Sequence, residues 1–344
     1  MARAKILFLT EQSVRHQEAA VAAAPPECSI VVLPHTPRDV VLADLPAADF
    51  LISERRGALD EQLITAGTRL RLIQRLGSLT YDIDLAAARR AQIPVCAMPV
   101  PGCLLAAEHM VMQMLALVKR LNEVTAIANA AGSWGRPARR TDENTFAYNW
   151  SRRTNIGALS GCTIAILGFG EIGVELARRL AAFRPAQILY YKRQRLPVAV
   201  EVELAITYAE PETLYARADI LCNLLPYTPA TDRLLNATVF ARMKAGAFLV
   251  SCGSGSVIDE RALADAVRGG HLAGAALDTF EWEPLRPDNP LLPLARDPAQ
   301  NVLLTAHVAA GAPRSHEIST PRRAADFENV RRVLAGQPLV GQVA

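Results

Sequence analysis

The chain is short of lysine: only Lys5, Lys119, Lys192 and Lys244 interrupt a basic set that is otherwise arginine. It also lacks an excess of either charge, with 37 basic against 34 acidic residues and a formal net charge of +3. That balance argues against nucleic acid or an anionic membrane as the main partner. The six cysteines, Cys28, Cys96, Cys103, Cys162, Cys222 and Cys252, lack any paired spacing, and most lie inside apolar runs. They read as buried reduced thiols of a cytoplasmic protein, not as a disulfide or metal framework, so no metal site is expected. The opening MARAKILFLT is too short an apolar run for a signal sequence, and no stretch reads as long and apolar enough to cross a bilayer.

What is present is apolar residue, 51% of 344, enough for one large core or two medium ones. Two domains are expected. KILFLT, SIVVLP, DFLIS, LRLIQRLG and IPVCAMP are strand candidates between residues 5 and 99, with helical stretches such as LDEQLITAG and DLAAARRAQ between the later ones. Continuous apolar strands separated by helices indicate a parallel sheet covered on both faces. Residues 99–102 form a candidate hinge, and an apolar helix is expected from about Leu104 to Leu121. Met110, Met112 and Met114 on it read as packing residues. A helix apolar on most sides needs more covering than one domain provides, which suggests a homodimer.

Residues 132–158, GSWGRPARRTDENTFAYNWSRRTNIGA, break the pattern. A loop of this length is functional or disordered, and its aromatic residues argue against disorder. Its five arginines fit either a solvated face or the lining of an anionic site. From Cys162 a second alternation begins: TIAILG, QILYYKR, DILCNLL, AFLVSC, LAGAALDTF and NVLLTAH are strands with helices between them. Within it, LVSCGSGSVIDE reads as a buried strand, a glycine-rich turn and a helix opened by Asp259 and Glu260. A last helix, from about Pro313 to Leu334, follows too late to serve this sheet alone and returns to the first unit.

LGFGEIG, residues 167–173, follows the strand TIAIL and opens the helix VELARRLAAF, the context in which a GxGxxG run signals dinucleotide binding. Gly168 permits the tight turn, Gly170 lets the main chain approach a pyrophosphate, and Gly173 allows close helix packing. Phe169, Glu171 and Ile172 complete the candidate cofactor turn, whose helix-start amides favour phosphate. An acidic residue about twenty positions on would accept hydrogen bonds from the ribose. Here the second strand ends YYKRQR, with Lys192, Arg193 and Arg195 and no carboxylate. These cations suit a ribose 2'-phosphate, so NADP is expected over NAD; the alternative is a solvated basic strand end.

Taken in order, LIQRLGSLTYDIDLAAARRAQIPV, LGFGEIG, GAALDTFEWEPL and NVLLTAHVAAG resemble the D-isomer-specific 2-hydroxyacid dehydrogenases, and AAEHMVMQMLALVKR resembles that family's long helix after the hinge. The resemblance implies an α/β chain of two doubly wound parallel-sheet domains. A flavodoxin-like substrate domain would comprise residues 1–101 and 312–344, and a Rossmann-type dinucleotide domain residues 102–311. It further implies a small 2-keto or 2-hydroxy acid as substrate, an active site in a cleft and a dimer. The family's proton-transfer pair maps onto Glu283 and His307, a pairing that also makes chemical sense. A histidine holds and releases a proton near neutral pH, and a neighbouring carboxylate favours its charged form.

By the same resemblance Asp278 and Ala309 lie near the nicotinamide, while Leu225, Pro226, Cys252, Gly253 and Ser254 line the cofactor. Gly77, Ser78 and Leu79 would hold a substrate carboxylate through backbone amides. The chain departs from the family at Ser254, where an arginine normally binds that carboxylate and polarises the carbonyl. A charged hydrogen bond contributes about 1.5–3 kcal/mol, and losing such a donor costs roughly a hundredfold or more in rate. Three explanations stand: another cation, such as Arg55, Arg56 or the arginine-rich insert, fills the gap; the substrate lacks a carboxylate there, and the serine and glycines make room; or the fold binds a dinucleotide without turnover, as a sensor or protein-interaction module.

Overall fold

The computed structural model describes residues 3–54, 57–132, 135, 137–311 and 323–344. The chain divides into two compact units, residues 1–103 with 312–344 and residues 104–311. The first is built on a parallel sheet of β1 (Ala4–Thr10), β2 (Cys28–Pro34), β3 (Phe50–Ser53), β4 (Leu72–Leu76) and β5 (Val95–Met98), in the order β2-β1-β3-β4-β5. All five strands arise from the apolar runs that predict them. In β3 and β4 every residue is buried, as a sheet covered on both faces requires. Asp60 and Asp84 cap the helices Glu61–Ala66 and Leu85–Arg90, accepting hydrogen bonds from the amides of Leu63 (3.1 Å) and Ala87 (2.8 Å).

The chain's end returns to this unit. Asn329, on the helix Glu328–Leu334, donates to buried Gln74 of β4 at 2.8 Å, and the Val95 amide donates to the Ala344 carbonyl at 3.0 Å. The expected beginning of the last helix, near Pro313, lies outside the described residues.

The second unit holds β6 (Thr163–Leu167), β7 (Gln187–Tyr191), β8 (Thr207–Tyr208), β9 (Ile220–Asn223), β10 (Phe248–Ser251), β11 (Gly274–Leu277) and β12 (Val302–Leu304). The order β12-β11-β10-β9-β6-β7-β8 is parallel throughout and reverses between β6 and β9, which makes it Rossmann-type; the first unit is flavodoxin-like, reversing between β1 and β3. Ligands in such sheets bind outside the carboxyl ends of the strands at that reversal. Only β8 was not foreseen, because its two residues at the sheet edge pair through just Leu189↔Thr207 and Tyr190↔Tyr208.

The apolar helix spans Pro101–Val118, three residues earlier at each end than the sequence suggests. Its 18 residues have a mean hydropathy of 1.4, so by length and composition it would reach across a membrane, which corrects the expectation that no stretch could. Its buried face, with Met110, Met114 and Leu117, and the polar contacts of His109 and Gln113 are those of a core helix. The described part of residues 132–158 contains no helix or strand. Its far end is tied down: the Gly157 amide donates to the Val118 carbonyl at 2.7 Å, and Arg153 pairs with buried Glu123. Arg153 is therefore neither a solvated cation nor an anion lining, while Arg139, Arg140 and Arg152 are exposed.

Candidate active site

The turn after β6 is shaped by contact with the neighbouring loop. Gly168 has φ +92°, and a Cβ there would lie 2.7 Å from the Leu224 carbonyl carbon and 2.8 Å from the Leu225 nitrogen, so only glycine fits. Gly170 differs: a Cβ would meet nothing within 4 Å. Internal packing does not require glycine at 170, so the open space is available for a ligand to approach the main chain. Beyond it the helix Glu171–Leu180 begins, and the amides of Ile172 and Gly173 find no backbone acceptor among the described residues. Unpaired amides at a helix start, with open space where a Gly170 side chain would stand, fit a pyrophosphate. Phe169 is corrected to a packing residue: its side chain is buried against Tyr190 (4.8 Å between ring centroids), and its amide donates to the Tyr191 carbonyl.

The basic strand end divides in two. Arg195 is gripped by Glu201, Nε to Oε1 at 2.8 Å and Nη2 to Oε2 at 2.7 Å, and Tyr190 donates to the same Oε1. The Arg195 hydrogen bonds hold the Glu201 carboxyl below its ordinary range. The charge of Arg195 is thus already matched, which corrects its assignment as a phosphate ligand. Lys192 is half-buried and Arg193 exposed, beside the end of β7.

The loops after β9 and β10 are joined by main-chain bonds: the Gly253 amide donates to the Asn223 carbonyl (3.0 Å) and the Ser254 amide to the Leu225 carbonyl (2.9 Å). A Cβ on Gly253 would lie 2.8 Å from the Leu225 oxygen, and one on Gly255 2.0 Å from the Phe280 carbonyl carbon. The two glycines flanking Ser254 therefore serve the packing of protein against protein, which removes the idea that they make room for a substrate. Asp259 caps the helix Glu260–Arg268 through the Ala262 amide at 3.0 Å, as the sequence suggests. Cys252 contacts Gln113 Oε1 at 3.5 Å, and burial pushes its thiol up, so it is held neutral. Pro226 is exposed beside half-buried Leu225.

The imidazole and the carboxylate meet. His307 Nδ1 lies 2.6 Å from Glu283 Oε2, and Glu283 Oε1 accepts the Phe280 amide at 3.0 Å. With Nδ1–H directed at the carboxylate, the other ring nitrogen is left to carry the exchangeable proton. The pair forms part of the wall of an open pocket of about 700 Å³, beside Phe280, Pro284, Leu285 and Leu303. His307 stands on a left-handed residue, φ +51°, held by its amide's bonds to the carbonyls of Asp278 (2.9 Å) and Thr305 (3.1 Å).

Asp278 organises this segment. Its side chain is 1% exposed; Oδ1 accepts from the Thr305 hydroxyl (2.6 Å) and the Val308 amide (3.0 Å), and Oδ2 from the Ala309 amide (2.8 Å). Both Asp278 and Ala309, expected at the nicotinamide, thus direct their polar groups at each other. The sequence reading missed His109, whose Nε2 lies 3.0 Å from Thr305 Oγ1. The signal was there in the polar pair His109 and Gln113, four residues apart on a helix whose other charged residue is Glu108.

In the first unit, Gly77 has φ +135° and its amide donates to the Met98 carbonyl at 2.8 Å, so carboxylate binding by this loop would fall to Ser78 and Leu79. Beneath the loop, fully buried Arg75 pairs with Asp82 at 2.6 Å. Arg55 and Arg56 lie outside the described residues. At the carboxyl ends of β1 and β3, Thr10 and Arg323 both hydrogen-bond Glu54, and Arg323 also holds Asp326 at 2.7 Å, a cluster the sequence did not announce.

Residues 111–309 match the family described as "D-isomer specific 2-hydroxyacid dehydrogenase, NAD binding domain". The D-3-phosphoglycerate dehydrogenase of Mycobacterium tuberculosis is 32% identical over 302 residues, 87% of this chain and 52% of that protein. The glyoxylate reductase of Thermofilum pendens is 31% identical over 306 residues, 87% of this chain and 82% of that protein. A crystal structure of a Pyrococcus horikoshii protein superposes with a TM-score of 0.57 at 25% identity, covering 99% of this chain and 95% of that one. The chain spans about half the length of the D-3-phosphoglycerate dehydrogenases it matches. It belongs to the D-isomer specific 2-hydroxyacid dehydrogenase family.

Proposed function

We propose that the protein is an oxidoreductase that transfers a hydride between NADP(H), with NAD(H) as the weaker alternative, and a small 2-keto or 2-hydroxy acid or related carbonyl compound. The observation that carries this reading is the 2.6 Å contact between His307 Nδ1 and Glu283 Oε2 in a pocket wall. When bound, the dinucleotide supplies or accepts the hydride. The chain's own residues handle the proton. Glu283, fixed by the Phe280 amide, stabilises the imidazolium; His307 then donates from Nε2 to the carbonyl oxygen in reduction and takes the proton back in oxidation. Ser254 offers one short neutral donor where the family's arginine would stand. A lone hydroxyl polarises a carbonyl less than a guanidinium does, so the reading includes substrates that lack an adjacent carboxylate.

The preference for NADP rests on the cationic residues Lys192 and Arg193 beside the end of β7; Arg195 is paired with Glu201. A homodimer and a cytoplasmic location are part of the same proposal, the first because the long helix exposes Leu105 and Met112. The test is NADPH and NADH oxidation with glyoxylate, hydroxypyruvate, other 2-keto acids and aldehydes, and the oxidative reaction with D-3-phosphoglycerate, each beside a His307→Ala control. Turnover that the control abolishes supports the proposal. Dinucleotide binding with no turnover above the control, across the panel, would replace the enzyme reading with that of a binding module.

A further inference from the structure

His109 lies on the long helix, within the second unit, with Nε2 3.0 Å from Thr305 Oγ1 and 3.6 Å from Asp278 Oδ1. Thr305 has one hydroxyl proton and three possible acceptors in reach, Asp278 Oδ1 at 2.6 Å, His109 Nε2 at 3.0 Å and the Leu277 carbonyl at 3.4 Å. A short bond to a carboxylate outweighs a longer one to a neutral ring nitrogen or carbonyl, so the proton points at Asp278. The Thr305 oxygen then faces His109 as an acceptor, and His109 Nε2 must carry the hydrogen. A directed chain results: His109 donates to Thr305, Thr305 to Asp278, and Asp278 receives the amides of Val308 and Ala309.

That chain ends around a residue whose backbone needs support. At φ +51° a non-glycine residue is strained and persists only where its surroundings over-determine it. The Asp278 and Thr305 carbonyls hold the His307 amide, and the Asp278 carboxylate holds the next two. We propose that His109 is a positioning residue for His307: its Nε2–H directs the Thr305 hydroxyl, which orients the Asp278 carboxylate, which holds the left-handed segment presenting the imidazole to Glu283. Its consequence for rate rests on the oxidoreductase reading, but the arrangement itself is testable without turnover.

The experiment compares His109→Leu, which has no donor, with His109→Gln, which restores an N–H at similar reach, and Thr305→Val with Thr305→Ser. The first readout is the ring tautomer of His307 from its 15N chemical shifts, assigned with a His307→Gln chain; the second is kcat and KM. The wild type is expected as the Nδ1–H tautomer. His109→Leu and Thr305→Val should raise the Nε2–H share severalfold and lower kcat about tenfold with cofactor KM within about twofold, and His109→Gln and Thr305→Ser should recover most of both. Equal loss in the donor and no-donor variants would mean that shape alone matters and would overturn the proposal, as would a wild-type tautomer in His109→Leu. Should His109→Leu fail to fold, the threonine pair decides. Should no compound turn over, the oxidoreductase reading falls while the tautomer measurement still decides this one.

Discussion

Replacing Gly168 by alanine, and separately Gly170, separates the part of the β6 turn that serves the fold from the part that serves a ligand. At Gly168 the new methyl group meets main-chain atoms of Leu224 and Leu225 at 2.7–2.9 Å, on a residue with φ +92°. Backbone strain of about 1–3 kcal/mol and crowding of about 1–3 kcal/mol together give roughly 2–6 kcal/mol. For a unit of this size each kcal/mol lowers Tm by about 2–4 °C, so the loss runs from roughly 4 °C to more than 20 °C. At Gly170 the methyl group meets nothing and φ is −106°, so the melting temperature should hold or rise slightly. The methyl would instead occupy the approach to the helix amides, and losing one charged hydrogen bond there, about 1.5–3 kcal/mol, weakens dinucleotide binding roughly ten- to a hundredfold. Thermal melts of the ligand-free chains and fluorescence titrations with NADPH and NADH measure both. A Gly170→Ala chain that binds both dinucleotides like the wild type, or a Gly168→Ala chain that melts beside it, refutes the reasoning.

Removing Lys192 and Arg193 together should weaken NADPH binding about tenfold or more and leave NADH nearly unchanged, read as two dissociation constants; Arg195→Ala should instead lower stability, because it strips Glu201 of its partner. Ser254→Arg should create or raise activity on glyoxylate or hydroxypyruvate by roughly a hundredfold in kcat/KM; no change in steady-state assays would favour a substrate of different geometry. Burial raises the Asp326 carboxyl from 3.8 to about 6, so its stabilisation is fully present below pH 3.8 and is lost as pH rises through 6. An Asp326→Asn chain should therefore match the wild type near pH 4 and exceed it by a few kcal/mol, on the order of 2–3, at pH 7, in denaturant unfolding at the two pH values. Equal gains at both would contradict it.

The strands were legible because both sheets are covered on both faces, which leaves runs such as KILFLT and AFLVSC with no polar alternation to confuse them. Helix starts at Asp60, Asp84 and Asp259 were legible for a local reason, a carboxylate three residues before the amide it caps. The Glu283 and His307 pair needed the family resemblance, since nothing local brings residues 24 apart into contact. What escaped was set by side-chain direction. Phe169 looks like part of a cofactor turn but its ring faces the core, and Arg195 looks like a phosphate ligand but closes on Glu201. His109, Thr305 and Asp278 come from three distant elements, and only the packing of the helix on the sheet edge brings their polar atoms together.

Ser254 is seated between two glycines that are each hemmed in by another loop's main chain, at Leu225 on one side and Phe280 on the other. Walls made of backbone do not change when a side chain does, so this seat is a fixed socket into which residues of different length can be plugged. Retuning what the protein acts upon then becomes a question of how far one side chain reaches from an immobile origin, with the surrounding scaffold left untouched.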